Sequence, residues 1–96
     1  MAIVDLLQGA PHATTARKLS EILDISIRDV TRAIRAERLA GEPIASNEHG
    51  YFIARTSGEL IQVYRRNQKM IKELFRVNRA LKKAAEKLPG RDTRPP

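Results

Sequence analysis

The chain has 96 residues, enough for one small domain and an appendage. Its two Phe, two Tyr and no Trp leave Leu, Ile and Val to fill the core. It contains no cysteine, which excludes disulfides, thiolate metal sites and a cysteine nucleophile. The formal net charge is +7 and arises entirely from residues 57–96, because basic and acidic side chains balance in residues 1–56. This charge favours a polyanionic partner; a basic surface without a partner is the alternative.

No targeting or membrane segment is expected. The stretch Met1–Asp5 lacks the basic region and the apolar run of a signal peptide. No stretch approaches the roughly 18 consecutive apolar residues of a spanning helix. The sequence therefore predicts a cytoplasmic protein.

The first residues predict a short helix from Ala2 to Gln8, with Gly9 as its stop. Pro11 predicts a non-helical connector after it. The next three residues, His12–Thr14, are candidates for a brief strand that pairs with a later hairpin.

Two helices joined by a three-residue turn are predicted for the following stretch. Thr15 is the expected N-cap of a helix over Ala16–Leu23. Ser26, the last residue of the turn, then caps a second helix that runs to about Ala40 and stops at Gly41. Apolar residues at helical spacing predict the buried faces of both helices. They are Ala16, Leu19, Ile22, Leu23, Ile27, Val30, Ala33 and Ile34.

The other side of the second helix is rich in arginine. Arg28, Arg32 and Arg35 share one stripe, with Arg38 further along it and Thr31 beside it. A solvated arginine face is one interpretation. In the second helix of a helix-turn-helix, contact with DNA is the favoured one.

A small hairpin is predicted after this helix pair. Gly41–Pro43 has the residue types of a turn. Two short extended segments follow, Ile44–Ala45 and Tyr51–Ile53. Ser46–Gly50 forms the tip between them. Tyr51 and Ile53 should face one side of the strand, and Phe52 the other.

The stretch from Thr15 to Ala54 resembles the winged helix-turn-helix domains of bacterial and phage DNA-binding regulators. The N-terminal domain of the biotin-ligase repressor and small phage winged-helix proteins are examples of this family. The residues that carry the resemblance are Leu19-Ser20-Glu21, Ile25-Ser26, Val30, Ile34, Gly41-Glu42-Pro43-Ile44 and Gly50-Tyr51-Phe52. The resemblance implies that the second helix enters the major groove of DNA.

By this resemblance, positions on the recognition helix and on the wing are implied to contact DNA. The recognition-helix positions are Arg28, Asp29, Thr31, Arg32 and Arg35, and the wing positions are Asn47 and His49. Two residues depart from the family's pattern. Asp24 replaces a common Gly and is expected to adopt the left-handed conformation. Glu37 replaces a common apolar residue, and Leu39 is expected to take over its packing.

A long helix is predicted for the C-terminal part. Thr56 and Glu59 form a capping box, and a helical pattern runs from Ser57 to Leu88, roughly 48 Å at 1.5 Å per residue. Three parts follow: a winged helix-turn-helix domain over 1–55, an amphipathic helix over 56–88 and a disordered tail over 89–96. The fold class is mainly α with a small β-hairpin.

The long helix carries a heptad pattern. Its a and d positions are Leu60, Tyr64, Asn67, Ile71, Leu74, Asn78, Leu81, Ala85 and Leu88. The apolar face extends to the flanking positions: the g positions are Val63, Met70, Val77 and Ala84, and two e positions are Ile61 and Phe75. The outer b, c and f positions are mostly cationic.

Such a long apolar face requires a partner, and self-association through residues 60–88 into a dimer or a larger bundle is the simplest one. The predicted contact residues are Met70, Ile71, Leu74, Val77, Asn78, Leu81, Ala85 and Leu88. Packing onto the winged helix is expected for the first two turns, around Leu60, Ile61 and Tyr64. Binding to an anionic membrane is disfavoured by the absence of Trp.

Two functions remain open at this point. The first is a DNA-binding protein, a bacterial or phage transcriptional regulator that reads the major groove of double-stranded DNA through helix 27–40. The second is an assembly module in which the C-terminal helix forms a bundle and the winged helix docks a partner. An enzyme, a metal site and a cofactor are not expected, because His12 and His49 lie in turns and no nucleophile or phosphate-loop motif is present.

Overall fold

In a computed structural model, which describes residues 2–90, the protein is mainly helical with one antiparallel hairpin. Its regular elements are α1 (Ala16–Leu23), α2 (Ile27–Leu39), β1 (Ile44–Asn47), β2 (Gly50–Ile53) and α3 (Ser57–Glu86). This confirms the predicted fold class of helices, a small hairpin and a long C-terminal helix. The chain divides into a first unit that ends at Tyr64 and a second unit that begins at Arg65. Of the tail predicted over 89–96, residues 91–96 lie outside the described residues.

The N-terminal segment contains two 3-10 turns, so the short helix predicted from Ala2 to Gln8 is present only as one 3-10 turn. The first turn covers Ile3–Leu6 and the second covers Ala10–His12. Fewer than about 12 residues rarely sustain an isolated α-helix, and Gly9 interrupts this one. Pro11 does not exclude helical structure here, because a 3-10 turn leaves its first N–H groups unbonded and Pro has none to offer.

Glu37 joins the first 3-10 turn to α2. The backbone N–H groups of Ile3 and Val4 each donate to one of its carboxylate oxygens, both at 2.8 Å. Ala2, the N-cap of this turn, offers no side-chain cap, so a distant carboxylate satisfies the orphan donors. Leu39 was expected to replace an apolar residue at position 37; this is wrong, because Leu39 is 79% exposed.

The connection between α1 and α2 follows the prediction closely. The hydroxyls of Thr15 and Ser26 each accept from a backbone N–H three residues later, at 3.1 and 3.0 Å. Asp24 adopts the predicted left-handed conformation, with φ 55° and ψ 47°. In addition, the Ser20 hydroxyl donates to the Ile25 carbonyl, so this small residue closes the turn with its side chain.

The core of the first unit lies between α1, α2, the N-terminal segment and the start of the hairpin. Its buried residues are Ile3, Leu7, Leu19, Val30, Ile34 and Ile44. Two predicted core residues are exposed instead, Ile22 at 55% and Ile27 at 45%. Ile22 is in the last turn of α1 and Ile27 begins α2, so both flank the connecting turn at the margin of the core.

The two strands are longer than predicted. Ile44 pairs with Ile53 and Asn47 with Gly50, which leaves a two-residue turn between the strands. The Asn47 side-chain oxygen accepts from the N–H of His49 at 2.8 Å and so shortens the tip.

The outer edge of β2 is paired with the N-terminal segment. Thr14 and Tyr51 exchange two backbone hydrogen bonds of 2.8 Å, which confirms the predicted pairing of this segment with the hairpin. The N–H of Ile53 also donates to the carbonyl of Gln8 at 2.7 Å. These bonds occupy backbone groups that an edge strand would otherwise offer to another chain.

The long helix α3 begins with a variant of the predicted capping box, in which Glu59 accepts from the residue before the N-cap and not from Thr56 itself. The N–H of Glu59 donates to Thr56 at 3.4 Å, and the Glu59 carboxylate accepts from the N–H of Arg55 at 2.8 Å. Val63, one turn further, is partly buried. The first two turns of α3 belong to the first unit, as expected, but Val63 is their partly buried apolar contact, whereas Leu60, Ile61 and Tyr64 remain 37%, 42% and 60% exposed. Within residues 2–90, no helix has the length and apolar character needed to cross a membrane.

Replacing Gly50 by Ala should lower the free energy of unfolding more than replacing Gly41 by Ala. Both glycines have positive φ, 129° and 100°, so each variant carries backbone strain of about 1–2 kcal/mol. A Cβ at Gly50 would also lie 2.4 Å from the Thr14 carbonyl, whereas Gly41 has nothing within 4 Å. Urea unfolding measures both losses, and equal losses would contradict the close approach of Thr14.

Replacing Glu37 by Gln should destabilise the first unit by about 1–3 kcal/mol, because a single amide oxygen cannot accept from both N–H groups with a carboxylate's strength. Glu42 is an exposed acid of the same size and is the matched control. We expect Glu42→Gln to change the free energy of unfolding by less than about 0.5 kcal/mol. If the two variants unfold at the same urea concentration, the capping role of Glu37 is refuted.

Candidate nucleic-acid interface

Three arginines form one exposed stripe along α2. Val30 and Ile34 point into the core, at 0% and 2% exposure, and fix the rotation of the helix. Arg28, Arg32 and Arg35 then fall on the opposite side, because spacings of four and three residues return to one face of an α-helix. All three side chains are exposed. We call these three residues the arginine stripe.

The guanidinium groups of the arginine stripe form no hydrogen bond and no ion pair with any residue in the described range 2–90. Asp29 lies three residues before Arg32, a spacing that suits an ion pair, yet the two side chains do not form one. The stripe therefore presents three cations whose charges are not neutralised by the chain itself. Such a surface attracts phosphates and other polyanions.

Two polar residues of the predicted site have local roles in α2. Asp29 lies in the first turn, where its negative charge complements the helix dipole, and its N–H donates to Ser26. The Thr31 hydroxyl donates to the carbonyl of Arg28 at 2.9 Å, so its proton is used within the helix. Both side chains remain exposed beside the arginine stripe.

Arg38, which the sequence placed further along the stripe, packs against the hairpin instead. Its Nε donates to the carbonyl of Ile44 at 2.9 Å, and its Nη2 lies 3.5 Å from the hydroxyl of Ser46. Its guanidinium carbon is 5.7 Å from the centroid of the Tyr51 ring, a cation–π distance. Each step of three residues rotates a side chain about 60° backwards around the helix, so Arg38 turns away from Arg28 and towards β1.

The hairpin tip carries the two residues predicted for the wing. The side-chain oxygen of Asn47 already accepts from a backbone N–H of the turn. The ring of His49 is exposed, and its Nε2 lies 3.5 Å from a carboxylate oxygen of Glu48. Glu48 is not among the predicted contact residues; it places a negative charge at the tip and would oppose the approach of a phosphate there.

A second exposed surface lies on α3. The eight residues predicted for self-association are all exposed. The larger apolar side chains among them and the neighbouring Phe75 are each between 46% and 69% exposed, and they are Met70, Ile71, Leu74, Phe75, Val77, Leu81 and Leu88.

The described residues offer little for metal chemistry. Within 2–90, no three side chains of His, Asp or Glu gather in a way that could hold a metal ion. His12 and His49 are both exposed.

Comparison with protein-family models, with curated proteins and with solved structures yields no match for this chain.

Replacing Arg38 by Ala should lower the free energy of unfolding by about 1–3 kcal/mol, because the Ile44 carbonyl loses its donor and Tyr51 loses the stacked cation. Replacing Arg35 by Ala removes the same charge from a side chain without such contacts. We expect this matched variant to stay within about 0.5 kcal/mol of the parent chain in urea unfolding. Comparable destabilisation by both would show that the two arginines do not differ in their roles.

Proposed function

We propose that this protein binds double-stranded DNA as a winged helix-turn-helix protein and acts as a cytoplasmic bacterial or phage transcriptional regulator. In this proposal α2 is the recognition helix, and copies of the chain associate through residues 60–88. The observation that supports it best is the arginine stripe. Three unneutralised guanidinium groups stand on the outer face of a helix whose inner face is fixed in the core.

The order of elements around the stripe supports the same proposal. α1, a three-residue turn, α2 and a hairpin follow each other as in winged helices, in which the second helix of the pair enters the major groove. The far end of α2 is bound to the N-terminal segment through Glu37 and to the hairpin through Arg38. The backbone of such a rigid element loses little conformational entropy on binding.

We assign different contacts to the arginines of the stripe. Arg28 lies in the first turn of α2, and the N-terminal residues of a recognition helix are those that contact base edges. Its guanidinium can donate two hydrogen bonds to O6 and N7 of guanine, worth about 1–3 kcal/mol of discrimination. Arg32 and Arg35 lie further along the helix and suit phosphates. Asp29 can accept from a cytosine amino group or orient an arginine.

The hairpin and the second unit add contacts that do not depend on sequence. We assign Asn47 and His49, the wing positions, to DNA beside the groove, where the charge of Glu48 between them weakens their contact with phosphates. The outer positions of α3 carry most of the chain's excess positive charge, which strengthens binding to any duplex at low salt.

A second candidate function is an assembly module without DNA, and the exposed apolar face of α3 favours it. In that case copies would bundle through α3 and the first unit would dock a protein partner. Fluorescence anisotropy with a random duplex at about 20 mM salt separates the two functions, because counterion release favours DNA binding most strongly at low salt. Absence of binding there would leave the assembly module as the remaining candidate.

Replacing Arg28 by Ala should reduce the preference for a selected duplex over a scrambled one by about 10- to 100-fold, the equivalent of one bidentate contact to guanine. The selected duplex comes from enrichment of a random library. Replacing Arg32 or Arg35 by Ala should instead weaken binding to both duplexes equally and lower the salt slope by about 0.9 each.

The matched control is Arg76→Ala, which removes the same charge from α3, where Glu73 already lies 3.4 Å away. We expect it to leave the preference between the two duplexes unchanged. If all four variants weaken both duplexes equally, α2 does not read bases and the proposed regulator function fails.

A further inference from the structure

We infer that α3 pairs with α3 of a second copy as an antiparallel two-stranded coiled coil, in the register that places Asn67 opposite Asn78 of the second copy. This inference rests on the proposed self-association and not on the proposed DNA binding. Two features of α3 carry it: an exposed apolar face and a symmetric position of its two asparagines along that face.

The apolar face is too exposed for a helix without a partner. From Met70 to Leu88, seven large apolar side chains on this face are 46–69% exposed. If each buried on the order of 80 Å², two copies together would bury roughly 1,100 Å² before flanking residues are counted, close to the lower bound of stable interfaces. A second copy of the same helix can therefore supply enough contact area.

We call the a and d positions of α3 the seam. The order of residues along the seam suits pairing with an antiparallel second copy. The seam is symmetric about the midpoint between residues 72 and 73. An antiparallel copy related by this midpoint places an a position opposite a d position in every layer. The layers are Ile71 opposite Leu74, Asn67 opposite Asn78, Tyr64 opposite Leu81, and Leu60 opposite Ala85.

The asparagines select this register over its neighbours. A shift by one heptad in either direction places Asn67 opposite Ile71 or Ala85, and Asn78 opposite Leu60 or Leu74. Each buried amide would then lack a hydrogen-bonding partner, which disfavours both shifted registers. In the unshifted register the amide of Asn67 lies opposite the amide of Asn78 of the second copy. Because the pair has two-fold symmetry, this layer occurs twice. Such asparagine layers fix register at a modest cost in stability.

The flanking positions favour the antiparallel direction. The g positions are all apolar, whereas the e positions include Gln68 and Lys82. In an antiparallel pair g positions lie beside g positions, so Met70 meets Val77 on a wholly apolar flank. A parallel pair would instead place Val77 beside Lys82 and expose part of that apolar flank. Antiparallel helix dipoles also attract each other.

The charges beside the seam fit a second copy better than other occupants. From 61 to 84, Lys82 is the single charged residue at an e or g position, so an acidic partner helix would find almost no cation beside the seam. The remaining cations lie on the outer positions, away from the seam. A membrane surface fits poorly as well, because Asn67 and Asn78 would enter hydrocarbon without partners.

Cysteine cross-linking tests the direction and the register, and the chain contains no native cysteine. Tyr64→Cys and Leu81→Cys variants are mixed under reducing conditions, oxidised and analysed by mass spectrometry. We expect the mixed disulfide to predominate at least tenfold over either symmetric one. In this register the two copies of either cysteine are about 25 Å apart along the axis, far beyond disulfide reach. A disulfide formed by Tyr64→Cys alone would overturn the antiparallel direction. Tyr64→Cys mixed with Ala80→Cys, an outer position, should not cross-link.

The oligomeric state tests the pairing itself. At about 100 µM and without DNA, the parent chain and Ala80→Lys should sediment as dimers, and Leu74→Lys, in the central layer, should associate at least 100-fold more weakly. Leu74 is 58% exposed in the single chain and lies in the second unit, so the urea unfolding of the first unit should be unchanged. A monomeric parent chain or a larger oligomer would overturn the inference. None of these outcomes involves DNA, so they leave the test of DNA binding independent.

The asparagines themselves are tested by replacing both Asn67 and Asn78 with Leu. The variant should dimerise more tightly and lose its single register, so that the yield of the mixed disulfide falls at least twofold. An unchanged yield would overturn the role given to the asparagine layer.

Discussion

The first unit depends on the last turn of α2, where two neighbouring side chains bind two different segments. Glu37 accepts the two unbonded N–H groups of the N-terminal 3-10 turn, and Arg38 donates to the backbone of β1. Successive residues of a helix point about 100° apart, so the two charged groups act on different sides of the same turn. Together with the buried contacts of Val30 and Ile34, they fix the rotation and the position of α2.

The charged side chains in the last turn of α2 bind other segments of the first unit. The arginines nearer the start of α2 are available to bind a partner. Arg38 is held by the hairpin, whereas the guanidinium groups of the arginine stripe form no hydrogen bond or ion pair within residues 2–90. Three exposed guanidinium groups cost little while they are hydrated, and they offer a preformed cationic surface on a rigid helix. This difference between arginines of one helix is the physical basis for the proposed recognition of DNA.

The two units offer surfaces of different chemistry. The first unit presents a cationic stripe above a packed core, and the second presents an apolar seam bordered by few charges. Polar attraction to phosphates depends on salt, whereas burial of the seam does not to the same degree. DNA binding and pairing of copies can therefore be separated by experiment, although a regulator that binds a symmetric site would use both.

Elements with strong local signals could be predicted from the sequence alone. Capping side chains at Thr15, Ser26 and Thr56, the left-handed Asp24 and the glycine after α2 fixed the helix boundaries, because these effects act within one or two turns. Features that depend on residues distant in sequence could not be predicted in this way. Glu37 departs from an apolar pattern, and its role depends on the N-terminal 3-10 turn that it caps. Arg38 was predicted to extend the arginine stripe, yet it packs against the hairpin. Whether Ile22, Ile27 and Leu60 are covered also depended on which elements meet, since periodicity gives the face of a helix and not what lies against it.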